Sequence, residues 1–102
     1  MSDIREALKT LKSRILEGSG RALPSLREAA FNNSNVAQPL SRLVDKVANR
    51  AYTVTDGEIA AAKESGLSED QLFEIIVCAA IGAANRQYGT ALAALDAVAG
   101  RE

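Results

Sequence analysis

Apolar residues recur along this chain at intervals of three and four, and they fall into five stretches. Ile4, Ala7, Leu8, Leu11, Ile15 and Leu16 predict a first helix over about 3–17, capped by Ser2 and stopped by "GSG" at 18–20. A second helix is predicted from Pro24 to Phe31, and two starts compete there. Pro24 suits a first-turn position, while Ser25 with Glu28 makes a capping box one residue out of step. "NNSN" at 32–35 reads as a loop. Leu40, Leu43, Val44, Val47 and Ala51 predict a third helix from near Pro39 to about Tyr52. "TVTDG" turns the chain into a fourth, about 56–65, with Thr55 and Glu58 fitting a capping box. Gly66 and Leu67 suggest a Schellman ending, the glycine left-handed and the leucine packing back. Ser68 and Gln71 fit another capping box and open a fifth helix that runs to about Ala99, straight or bent at Gly82 or Gly89. Nothing reads as a strand, a repeat or a long linker. The predicted fold is all-α, a single-domain bundle of about five helices over 1–102.

The fifth helix differs from the others. From Leu72 to Ala84 its only charge is Glu74. A helix apolar nearly all round must be covered on nearly all sides. Four short helices cover only part of such a surface, so a second subunit is expected over the rest. Ala79, Ala80, Gly82, Ala83 and Ala84 form a small-residue surface suited to close helix contact. The predicted assembly is a homo-oligomer joined through residues 72–84.

Composition bounds the class. Of the 102 residues, 47% are hydrophobic, 25% charged and 4% aromatic, with no Trp, which predicts a soluble globular chain with an aliphatic core. The net charge of -1 favours neither nucleic acid nor a membrane surface. Charge is unevenly placed: residues 1–50 hold nine Lys/Arg and five Asp/Glu, and residues 51–102 hold three and eight. Either two faces of opposite sign pack against each other, or the first half is a basic arm for an acidic partner. Arg5, Lys9 and Lys12 share a helix face, but Asp3, Glu6 and Glu17 dilute it. One cysteine, Cys78, precludes an intrachain disulfide, and the charged start "MSDIREALKT" has no apolar signal-peptide core; together they predict a cytoplasmic protein. The apolar run from Ile75 to Ala84 is too short to span a bilayer.

Several chemistries are poorly supported. Without histidine or a second cysteine, neither a zinc site nor a Ser-His-Asp or Cys-His arrangement fits within one chain, and no metal or cofactor is expected. "GSGRAL" at 18–23 follows a helix rather than a strand and so reads as a helix stop, not a phosphate loop. Cys78 reads as an inert buried thiol unless a positive neighbour and exposure activate it.

Glu74, Cys78, Ile81, Asn85 and Tyr88 follow one side of the fifth helix. Their polar groups need partners. They make either a subunit-interface hydrogen-bond set or a small polar pocket in which desolvation raises the Glu74 pKa. Arg86 placed near Asn49, Arg50 and Tyr52 would bind a small anionic ligand, or else pair with an acid of the second half. The candidate catalytic residues are Glu74 and Glu58; the candidate ligand-binding residues are Arg50, Tyr52, Asn85, Arg86 and Tyr88.

"GLSEDQLFEIIVCAAIGAANR", 66–86, resembles the helical signature of the AhpD-like / carboxymuconolactone decarboxylase superfamily. "LVDKVANRAYTVTDGEIAAAKESG", 43–66, is similar to the small variants, and the resemblance covers about 36–95. It implies N-terminal helices over 1–35 and a family-like core over 36–99. Redox members carry CxxC and a nearby His before this turn; those positions fall near Ala51, Val54 and Glu58, and none matches. The resemblance therefore implies an all-α oligomer without thiol-dependent peroxidase activity. Three functions follow: a non-redox homo-oligomer that binds a small molecule or partner, a decarboxylase or isomerase acting on a small acid through a carboxylate, and a helical protein-interaction module.

Overall fold

The computed structural model describes residues 2–18 and 20–100, and the side chains from residue 6 onward within them. The expected Ser2 cap and the Ile4 contact lie outside the described side chains. Five α-helices follow one another: α1 Ser2–Glu17, α2 Pro24–Asn32, α3 Leu40–Arg50, α4 Asp56–Glu64 and α5 Glu69–Ala99. A 3-10 turn, Ala51–Thr53, joins α3 to α4. The all-α reading holds among the described residues.

Local chemistry sets each boundary. At α2, Pro24 wins the competing start: Leu23 is the N-cap, no side chain caps it, and the Ser25 box does not form. Proline is tolerated at the first helical position because its missing N–H would be unpaired there. Asn33 and Asn35 take left-handed φ of 49° and 63°, which ends α2. The Asn33 Nδ2 then donates to Asp45 of α3 at 3.1 Å. α3 ends two residues earlier than expected, because Arg50 leaves the helical region at φ -151°, ψ 54°. Thr53 Oγ1 donates to the Arg50 carbonyl at 2.7 Å. Both Thr55–Glu58 and Ser68–Gln71 form complete capping boxes. Gly66 is left-handed at φ 104°, and Leu67 packs back on the core.

α5 is continuous for 31 residues and organises the rest. Leu43, Val44, Ile75 and Cys78 are the largest fully buried side chains, with Phe31 and Leu72 beside them. The closest approach is α2 on α5. A Cβ on Gly82 would collide with the Phe31 carbonyl, so the backbone of α2 rests directly on the glycine. This revises the small-residue surface: Ala79, Gly82 and Ala83 are buried within their own chain, and only Ala80 and Ala84 of that set remain exposed. The small residues serve an intrachain contact because α2 can reach α5 only where no side chain intervenes.

Beyond Leu92 every described residue of α5 is exposed. The radius of gyration is 15.3 Å, against about 13 Å for a compact domain of this size. The charge asymmetry resolves partly within the chain, since Lys46 pairs with Glu58 at 2.8 Å and Arg21 with Asp70 at 3.5 Å, each joining the basic half to the acidic half. No described helix is long and apolar enough to cross a membrane.

Candidate functional site

The predicted polar side of α5 faces α1. Glu74 and Cys78 line a cleft of about 180 Å³ with Arg14, Ile15, Arg27 and Phe73. About two to three turns beyond Cys78, Asn85 and Tyr88 line a groove with Leu8, Lys9 and Lys12. Their spacing of three and four places them on one side, as the sequence suggests. The Tyr88 hydroxyl is buried and has no partner among the described residues.

Glu74 acts as a backbone clamp. Its carboxylate accepts from the Arg21 N–H at 2.9 and 3.0 Å and from the Ala22 N–H at 2.6 Å. Desolvation raises its pKa, but these N–H donors and the charges of Arg27 and Arg21 outweigh it, so the pKa is lowered. The expected upward shift does not occur, because the carboxylate is held by donors that favour its charged form.

Arg27 is the residue that sequence reasoning missed. It is 5% exposed, the one charged side chain among the buried described residues. Its Nη1 donates to the Ile15 and Gly18 carbonyls at 3.1 and 2.9 Å, satisfying the end of α1. Its Nε has no partner among the described residues. The available signal was its place in α2 between Leu26 and Ala30, on the helix face that turns inward. Cys78 lies close by and is raised in pKa by burial, eased by Arg27 and reinforced by Glu74. Its Sγ reaches only the Ile15 carbonyl, at 3.9 Å. A buried thiol held protonated is a poor nucleophile.

Glu58 belongs to α4. The Lys46 ammonium lowers its pKa first, desolvation opposes, and Thr55 lowers it further. Its Oε1 accepts from Lys46 and Thr55, so its geometry is that of a capping residue and ion-pair partner.

The predicted anion cluster does not assemble. Arg86 and Asn49 share a groove of about 500 Å³ between α3 and α5. Arg86 donates its Nη1 to the Phe31 carbonyl rather than to an acid. Arg50 borders a separate polar depression with Arg42 and Asp45, and Tyr52 is 88% exposed. Glu74 and Arg86 line different grooves on different sides of α5. Among the described residues, no three His, Cys, Asp or Glu side chains converge to hold a metal ion.

No family model, curated protein or solved structure matches the chain.

The remaining feature is the outer face of α5. Phe73 is 67% exposed and Val98 59%, with Ala80, Ala84, Ala91 and Ala94 exposed between them. The α3–α5 groove opens along the same face, where Ala83, Arg86, Gln87, Thr90, Ala91 and Ala94 form its α5 wall. Such a largely apolar strip, interrupted by Gln87, suits contact with another helix or an apolar ligand rather than acid-base work.

Proposed function

We propose that this protein is a homo-oligomeric assembly and binding protein, a non-redox relative of the AhpD-like helical proteins that performs no thiol-pair peroxide reduction. The exposed apolar face of α5 carries the reading. A strip of that length left in water is costly, and a second subunit removes the cost. The family part rests on the resemblance over residues 36–95. The absence of CxxC and histidine supports the lack of peroxidase turnover, as does the buried, protonated Cys78 thiol.

The carboxylate-enzyme reading ranks behind it. Glu74 and Glu58 are both held as anions by structural donors, and neither faces Arg86 across a shared groove. The interaction-module reading differs in its partner: it would leave the purified chain monomeric, with the α5 face open for another protein.

Native mass spectrometry of the purified protein is the test. A discrete multiple of the 10.8 kDa chain is expected, with any retained small molecule visible as added mass. A monomer overturns the assembly reading and promotes the interaction module. Thiol-dependent peroxide reduction that persists in Cys78→Ser would overturn the non-redox assignment.

A further inference from the structure

The outer side of α5 has a finer order than an exposed apolar face requires. Opposite the buried Ile75, Cys78, Ala79 and Gly82, a line of residues follows at alternating intervals of four and three from Phe73 to Val98, exposed except for the half-buried Val77, which also borders the α1 cleft. That alternation is the spacing by which two helices pack along each other. Resting on the assembly reading above, we infer that this seam is filled by the same seam of a second copy, antiparallel, about a two-fold axis at the level of Asn85 and Arg86.

Self-complementarity is the first reason. Reversed on itself, the seam sets Phe73 against the partner's Val98, Val77 against the partner's Ala94, Ala80 against the partner's Ala91, and Ala84 against the partner's Gln87. Bulk meets bulk at the two ends, and small residues meet between, so the backbones approach closely without leaving a void. Gln87 is the only polar residue of the seam, and its copies flank the axis about one turn apart. A carboxamide both donates and accepts, so the two satisfy each other.

Charge selects the orientation. Between Glu74 and Asp96 the only charge on α5 is Arg86, which is engaged with the Phe31 carbonyl. The acids Glu69 and Asp70 open the helix and Asp96 lies near its end, while Glu74 is clamped by the Arg21 and Ala22 amides on the α1 side. A parallel pair would stack Glu69 and Asp70 on their own copies and align two helix dipoles. Reversal separates the two Asp70 side chains by about 46 Å along the helix and opposes the dipoles.

Area is sufficient. The seam is about 38 Å long, and a stable interface covers about 800 Å² per partner, which requires a strip roughly 21 Å wide. α5 supplies about 10–12 Å of that, and α1 and α3 flank it. The groove between α3 and the Gln87–Ala94 wall is the recess that receives the partner's helix.

The experiment uses Cys78→Ala as background, so that introduced thiols react alone. Chains carrying Val77→Cys are mixed with chains carrying Ala94→Cys, oxidised, and scored by non-reducing electrophoresis and mass spectrometry. The dimer mass should be present before oxidation. The mixture should form the Val77–Ala94 cross-link at least tenfold faster than either chain links to itself. Self-linking of the Val77→Cys chains would establish a parallel pair and overturn the inference. A dimer mass with no cross-link in any combination would place the interface elsewhere and also overturn it. Both outcomes leave the assembly reading standing, whereas a monomeric unsubstituted protein overturns both.

Discussion

The carbonyl of Phe31 occupies the space where a side chain on Gly82 would begin. The same oxygen accepts a hydrogen bond from Arg86, one turn further along α5. A glycine and an arginine at i and i+4 thus seat the end of α2 on the longest helix. Gly82→Ala should destabilise the fold by about 1–3 kcal/mol, as overpacking does. Gly89→Ala is the control: nothing lies within 4 Å of its Cβ position. There the better helix propensity of alanine should add about 0.5–1 kcal/mol. Thermal denaturation should move the two midpoints in opposite directions, and equal shifts would contradict the packing described.

Arg27→Gln should loosen α1. The variant loses the guanidinium that holds the Ile15 and Gly18 carbonyls, and it removes a charge that favours ionised Glu74. Leaving buried acceptors unpaired costs about 1–3 kcal/mol. Hydrogen exchange should quicken across α1 more than across α3. Uniform protection in the variant would show that Arg27 does not anchor the first helix.

Glu74 predicts a pH dependence. Its folded pKa lies below the ordinary 4.5, so between the two values the unfolded chain binds more protons. The contribution is therefore present above pH 4.5 and fades as pH falls through the folded value. Glu74→Gln should lower stability at neutral pH by roughly 1–2 kcal/mol. It should also flatten the decline below pH 4.5. Urea titrations of both proteins at neutral and acid pH test this, and parallel declines would remove Glu74 as the source.

Cys78 should resist modification in the folded protein. Its thiol is buried and its pKa raised, so the thiolate that alkylating agents attack is scarce and shielded. Labelling by iodoacetamide should be at least a hundredfold faster in denaturant than in native buffer at the same pH. Comparable rates would mean that the α1 side of α5 opens readily.

Much of the architecture is legible in the sequence because it depends on near neighbours. Capping boxes at Thr55 and Ser68, the left-handed Gly66 and the asparagine loop are set by side chains within three or four residues of the backbone they satisfy. The common side shared by Glu74, Cys78, Asn85 and Tyr88 follows from helical spacing alone. α3 ends at Arg50, before its apolar periodicity does, because the pattern continues through Ala51 while the backbone at Arg50 leaves the helical region.

Distant pairings were decided only by the tertiary structure. Periodicity gives the side of a helix on which Glu74 lies, but not that the Arg21 and Ala22 amides, more than fifty residues away, come to meet it. Desolvation alone predicts a raised pKa; those amides reverse the sign. Likewise a glycine in an alanine-rich helix reads as a bend or a close contact, and only the fold shows that the contact is with Phe31 of the same chain. Five helices and the two capping boxes at Thr55 and Ser68 are legible in the sequence because they are local hydrogen-bond problems. The three-dimensional packing decided which faces of α5 are used within the chain and which remain open, because burial is a property of the whole chain.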